Sequence, residues 1–395
     1  MAWAVRAELL LQQTDRALVA EARRSIALDR ACAGDATEAA HLDAAEQWAD
    51  GRIVSALNGF VGIVRDNPND MAALQTAHLG YFFVVDAEAL RDLPRYVLEN
   101  APEHSEGRAA VLGMAAFGLE ETGDYSAAEV LGHEAVARDP RDAWAVHAIA
   151  HVYEMRGDTD AGLNWLNASA SGLSPDNGLM YHNWWHLALL HLDRDDHRAA
   201  LDVYDTKVRP DPASDVVLEW IDASALLWRL HLDCVDTGNR FALLADRWER
   251  TVDDRIYAFN DLHATMAFLG ANRMEQARRS IRALEATATE PFDNGVMART
   301  IALPLATGFL AFAEERFDAA LDAIGAVLPI AQGFGGSHAQ RDVLELTALH
   351  AALRAGRREA ARRLAEGRLR RRPQSIWARR LMLRAAALDA AGKGC

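Results

Sequence analysis

The sequence predicts an all-α protein: a solenoid of stacked helix pairs wound into a right-handed superhelix. Three observations predict it. Alanine, leucine and arginine recur at helical spacing, while the strict alternation of half-buried strands is scarce. One pattern, an apolar helix followed by a short polar turn and a small-residue helix of the form xxAxxxL, returns along the chain. A single pair of this kind cannot bury its apolar face, so neighbouring pairs must stack on a shared core.

The copies follow one another in order. The earliest, "WADGRIVSALNGFVGIVRDNP", is weak. "GLEETGDYSAAEVLGHEAV", "YEMRGDTDAGLNWL" and "HLDRDDHRAALDVYD" are clear, and "FLGANRMEQARRSIRAL", "FAEERFDAALDAIGAV" and "LRAGRREAARRLAEGRL" complete the series. The turns at Gly123 and Gly157 lie 34 residues apart, the tetratricopeptide period. Gly, Asn or Asp ends each first helix, where a left-handed cap is wanted. Small residues such as Ala127, Ala128, Ala161 and Ala199 admit the second helix closely, and Pro68, Pro140, Pro175, Pro210 and Pro373 close units. The pattern predicts about seven or eight pairs, with longer joints near 205–215 and 285–300. It also predicts a concave wall made largely of first helices. No linker separates an independent domain, so 1–395 reads as one repeat domain with its site on repeats 110–345.

Composition bounds the function. The net charge of −15 repels phosphate backbones, so nucleic acid is not an expected general partner. The basic run "GRREAARRLAEGRLRRRP" (356–373) reads as the solvated face of a late helix. Three cysteines, Cys32, Cys234 and Cys395, without CxxC spacing predict no disulfide framework. The first residues, "MAWAVRAELLLQQTDRA", lack a signal-peptide pattern, and no uncharged apolar run reaches spanning length. The expectation is a cytoplasmic protein that does not bind membranes.

"HAIAHVYEMRGDTDAGLNWL", "NWWHLALLHLDRDDHRAALDVYD", "DASALLWRL", "FNDLHATMAFL" and "GGSHAQRD" together resemble the tetratricopeptide repeat protein 38 family, also called StaR-like. The resemblance implies a tetratricopeptide-type helical array and an association with bacterial secondary metabolism, but no established reaction.

Chemistry must therefore come from the residues. In "HAIAHVYE", His147, His151 and Glu154 stand at i, i+4 and i+7 and share a helical face of about 60°. "HNWWH" sets His182 and His186 at i, i+4 about one repeat later. Neutral imidazoles with a carboxylate predict a transition metal, zinc or iron first and manganese next. Aligning Ala161 with Ala199 slides the second pair by nearly one turn, which predicts a loose constellation rather than a tight four-histidine site. Asp222 reads as a ligand, as a carboxylate orienting a histidine, or as a pair with Arg229. His263 reads as a ligand or proton carrier, and Asn260 as a substrate contact or a helix cap. Trp185 reads as a pocket wall. Ser337 and Gln340 form a capping box, while His338 and Arg341 beside the glycines predict an anion-anchoring site.

Three functions compete. The first is a metal-dependent enzyme on a small organic substrate, with Glu154, Asp222 or His263 in acid–base roles. Amide or ester hydrolysis is favoured there over iron and oxygen chemistry. The second is a metal-free scaffold with a protein partner or a second copy of itself. The third is a metal-free small-molecule site using histidines as proton carriers.

Overall fold

The computed structural model describes residues 1–391 apart from 33, 85, 175 and 176. Pro175 and Cys395 therefore lie outside the described residues, and Cys32 and Cys234 are free and exposed. Among the described residues every regular element is helical. The helices pair in chain order: α1 (Ala2–Leu11) with α2 (Arg16–Arg30), α3 (Ala36–Ala49) with α4 (Ile53–Asp66), and α5 (Met71–Val84) with α6 (Ala87–Asn100). Then come α7 (Arg108–Glu121) with α8 (Tyr125–Arg138), α9 (Ala143–Arg156) with α10 (Thr159–Ala168), and α11 (Leu179–Asp193) with α12 (His197–Val203). The rest are α13 (Val217–Leu232) with α14 (Arg240–Trp248), α15 (Ala258–Gly270) with α16 (Met274–Thr287), α17 (Asp293–Met297) continued by α18 (Leu303–Ala313) with α19 (Phe317–Val327), and α20 (His338–Arg354) with α21 (Arg358–Arg371). Helix α22 (Ile376–Ala391) closes the array.

The described residues form a helical-hairpin solenoid of ten pairs and a closing helix, more than the seven or eight expected. The extra pairs lie where the xxAxxxL signal fades, notably α1 with α2 and α5 with α6. Most of their apolar residues still join the main core cluster, which runs from Ala4 to Ala385, while Leu90 packs in a smaller one with Phe117.

The turns explain the repeat. Gly123 (φ 84°), Gly157 (φ 69°), Asp195 (φ 61°) and Asn272 (φ 57°) take the left-handed conformation that ends a first helix, and so do Cys234 and Glu315. The next residue often caps the second helix. Asp124, Asp158 and Asp196 accept the N–H of Ala127, Ala161 and Ala199. Those three alanines are thus third residues of capped helices and only half-buried. The closest packing falls one place on, at Ala128, Gly162 and Ala200.

The array closes on itself. Asn260 donates to Thr14 O (3.0 Å), Val54 N to Asp293 Oδ2 (2.9 Å) and Tyr257 Oη to Phe83 O (3.0 Å). His338 N donates to Glu121 Oε1 (2.9 Å), Arg372 to Glu154 Oε1 (2.9 Å) and Ser375 Oγ to Asp193 Oδ1 (2.8 Å). The last repeats therefore lie across the inner face of the middle ones. The expected open concave wall is instead largely interior.

Two further expectations change. The basic run is only half solvated: Arg362, Arg363, Arg370 and Arg371 are exposed, whereas Arg368 and Arg372 are buried among Asp193, Asp342 and Glu154. Asp293–Ala313 and Phe317–Phe334 also reach spanning length, with mean hydropathy 1.6 and 1.2. Isolated charges such as Arg299 and Asp322 hide these runs from a search for uncharged stretches. Just over half (56%) of the first and 28% of the second is buried inside the protein.

Candidate metal centre

Helix α9 starts where Asp142 accepts the N–H groups of Trp144 and Ala145, and it stops at the left-handed Gly157. Its inner face carries His147 and His151, and the adjacent α11 carries His182 and His186. The four imidazoles converge. Ring centroids lie 4.4 Å apart for His147–His151 and His151–His186, 4.8 Å for His182–His186 and 4.9 Å for His147–His182. One nitrogen from each ring falls within 4.8 Å of the others. His182 Nε2 and His186 Nε2 are 3.3 Å apart. That is close to the edge, about 3.3–3.4 Å, of a tetrahedron with metal–nitrogen bonds near 2.05 Å.

The tight cluster corrects the loose one expected from the turns. The extra length of α11 is added at its C-terminal end, beyond the histidines. Counted from their starts at Ala143 and Leu179, the two helices carry their histidines in nearly the same register.

Carboxylates back the rings. His186 Nδ1 lies 2.9 Å from Glu154 Oε2, and His182 Nδ1 lies 2.7 Å from Asp222 Oδ2. Arg372 donates to the other oxygen of Glu154 (2.9 Å) and Gln340 to the other oxygen of Asp222 (3.4 Å). His151 Nδ1 lies 3.3 Å from Glu120 Oε2, without hydrogen-bond alignment. A carboxylate on Nδ1 fixes the tautomer and leaves Nε2 a free lone pair, which is how ligating histidines are usually held. Glu154, expected among the ligands or as a base, thus stands one step behind them. Asp222 takes the orienting role among its three readings.

The electrostatics suit a cation. His147, His151 and His186 are at most 1% exposed, and neither ring nitrogen of His147 or His151 has a hydrogen-bond partner in the protein. Burial, and then the neighbouring imidazoles, holds His147 and His186 well below the ordinary histidine range. Burial likewise brings His151 down to about 4, against the pull of Glu121 and Glu154. These rings are neutral at pH 7, the form that binds metal. Behind them, burial and then Glu121 push the Glu120 carboxyl well above its usual range.

His182 is 12% exposed, the least covered of the four. Together with His147 it opens onto a cavity of about 200 Å³. Trp144, Phe82, Phe83, Leu179, Leu218 and Phe259 supply much of its wall, and Asp222, Glu219, Gln13 and Gln340 supply polar groups.

The other expected site residues lie around this centre rather than in it. Trp185 is fully buried, stacked on His182 (5.1 Å between centroids) with the Arg229 guanidinium 5.4 Å from its ring, so it is a wall behind the histidines. Arg229 does not pair with Asp222. It donates to Ala225 O and Ala339 O, and burial lowers it to about 10. His263 is outside the ring of four; its Nδ1 meets Phe259 O at 2.7 Å, and burial lowers it to about 4. Asn260 neither caps a helix nor reaches the centre: it ties α15 to Thr14.

Ser337 and Gln340 form the capping box. The anion expected beside them is present, and it is internal. Glu121 accepts from His338 N and from Arg341 (3.2 Å), so a side chain fills the place reserved for a substrate. Burial opposes ionisation of Glu121, but His338 and Arg341 hold it below its usual range. Glu120, Glu121 and Arg372 carried no ligand-type spacing. The only sign was a turn string, "GLEETGD", and a basic run with an excess of arginine.

No family model matches the chain. Among solved structures, it is similar to the APC/C hetero-tetramer Cut9–Hcn1, with TM-score 0.46 and 13% identity over 92% of this chain. The chain spans 58% of that protein's length. It is also similar to a tetratricopeptide repeat protein from Parabacteroides merdae ATCC 43184, with TM-score 0.36 and 14% identity over 75% of this chain and 99% of that one. A third similar structure is the human IFIT1 dimer with m7Gppp-AAAA, with TM-score 0.35 and 13% identity over 98% and 95%. The tetratricopeptide-like character of the array stands on its own helix order and pairing.

Proposed function

We propose that this protein is a transition-metal-dependent enzyme whose centre is His147, His151, His182 and His186, and whose small organic substrate enters the cavity at His147 and His182. The observation that carries this reading is the convergence of four imidazoles, three of them buried, two of which have no hydrogen-bond partner within the protein. Buried polar atoms left unpaired cost about 1–3 kcal/mol each, and one ion would take up one nitrogen from each of the four rings. The ligand count bears on the chemistry. Zinc is usually complete with four protein ligands, whereas iron and manganese take up to six and keep positions for substrate. This favours an iron- or manganese-type ion supplying oxygen-dependent chemistry, ahead of the hydrolysis that the sequence favoured. The chain's own part is to hold the rings through Glu154 and Asp222 and to keep water from the inner side through Trp185 and Phe117.

Elemental analysis of untagged protein tests the reading. About one equivalent of iron, manganese or zinc per chain is expected, lost in His147→Ala and His186→Ala while both keep their helical circular dichroism. Full occupancy in both variants, or no uptake after reconstitution, refutes it.

The second reading is a metal-free scaffold or ligand-binding protein with a protein partner, and the fold class supports it. Under it the same variants stay folded and hold no less metal than the parent, which holds none. Membership of the tetratricopeptide repeat protein 38 family, with a place in secondary metabolism, rests on the quoted strings and belongs to this proposal too. So does the treatment of 1–395 as one domain.

A further inference from the structure

The cavity beside the centre has a composition of its own. Leu79, Phe82, Phe83, Leu179 and Leu218 stand with Trp144 around it, so most of its surface is aliphatic or aromatic. Among the described residues no lysine or arginine lines it, although the chain has 42 of them. Its charged groups are both carboxylates. Asp222 is bound on one side by His182 and on the other by Gln340, while Glu219 accepts from Ser214 and has Arg209 no nearer than 3.8 Å. By contrast, the arginine-lined cleft around Arg341, Arg368 and Arg372 is a separate space, and Glu121, Asp342 and Glu154 already neutralise it.

Away from an ion on the four histidines, an anion entering the cavity meets two carboxylates in an apolar wall and no lysine or arginine to repay its desolvation. A flat ring, by contrast, gains the faces of Phe82, Phe83 and Trp144. A hydroxyl or amino hydrogen finds acceptors in Glu219 and Asp222. The mouth lies where the α11 and α13 starts meet, at the exposed Gly178 and Val216.

We infer that the ligand of this cavity is an uncharged or cationic aromatic compound carrying a hydroxyl or amino group, and that carboxylates and phosphates are rejected. The inference rests on the proposed centre for what the ligand's reactive end meets, and on the lining alone for its chemical class.

Three probes that share a phenol ring test it: tyrosol (neutral), tyramine (cationic) and 4-hydroxyphenylacetate (anionic). Each is titrated calorimetrically into the full chain, both stripped of metal by chelator and loaded with iron(II) under anaerobic conditions. Tyrosol and tyramine are expected to bind stripped protein at least about ten-fold more tightly than the carboxylate, while in loaded protein the ion's own charge works against that order. Leu218→Trp fills the wall and should weaken both by about ten-fold or more at unchanged metal content. If that variant does not fold, the charge order in the parent protein still decides. Equal or tighter binding of the anion by stripped protein, or saturable binding of none of the three, overturns the inference. A chain that takes no metal but keeps the charge order sinks the metal centre and leaves the cavity's ligand class standing. A chain that takes metal and binds none of the probes does the reverse.

Discussion

His147 and His151 show what a single residue's surroundings decide. Each is an ordinary imidazole in the sequence, and each becomes a neutral, partnerless donor once three other rings exclude water from it. Glu154 shows the complementary effect, because its carboxylate holds His186 and is itself held by Arg372. Glu154→Gln should lower metal affinity by about 10–100-fold while helicity is retained, as read by competition with a chelator of known affinity. An unchanged affinity would remove Glu154 from the support of the centre. His78 offers a test of burial that is separate from the centre. It is wedged edge-on against Phe117 and Trp144, and burial alone lowers it to about 3. The unfolded chain takes up that proton near pH 6.5 and the folded chain does not, so the unfolded state binds more protons between the two values. Stability from this residue is complete above about pH 6.5 and is lost as pH falls toward 3, at about 1.4 kcal/mol per unit. His78→Leu should therefore shrink the drop in urea midpoint between pH 7 and pH 5, by the equivalent of about 2 kcal/mol. An equal drop in both chains would contradict it. The histidine spacing was legible in the sequence, since i, i+4 is a local relation. Glu121 and Arg372 were not, because their role depends on chain segments that meet across more than 200 residues.

At the scale of elements, the turns set where each helix points. The aspartate caps and glycine turns were readable, but the left-handed Cys234 and Glu315 were not. Neither residue type favours that conformation; the turn that closes the first helix imposes it, with Val235 N bonded to Leu230 O and Arg316 N to Ala311 O. The start of α20 matters most for the site because Gln340 serves both the capping box and Asp222. Ser337→Ala should cost about 1 kcal/mol in denaturant unfolding. Gly335→Ala should cost more than about 1 kcal/mol, since Gly335 sits at φ 93° and a Cβ there meets Tyr257 Oη and Phe83 O. Both partners line the cavity, so probe binding should weaken with stability in Gly335→Ala and hold in Ser337→Ala. The reverse order would mean that the α20 start does not shape the cavity.

At the scale of the whole molecule, charges buried between the last repeats and the middle ones add to the apolar core. Arg372 faces Glu154, Asp193 and Asp342, and these partners raise it above its usual range against the cost of burial. Arg372→Leu leaves carboxylates buried without their counter-charge and should destabilise the protein by about 3–5 kcal/mol. It should also loosen the centre through Glu154. A fall of the same size in a chain already carrying Glu154→Gln would show that the two residues act independently, against the structure. Helix pairing, the turn period and the paired histidines followed from local rules of spacing and capping, which any stretch of some 34 residues obeys within itself. Closure did not follow from them. Whether the inner face is an open groove or a sealed interior depends on small rotations between repeats that accumulate over the array. No short stretch of sequence records their sum, and that sum brings Arg372 to Glu154, puts Glu121 where a substrate anion was expected, and leaves a carboxylate-lined cavity at His147 and His182.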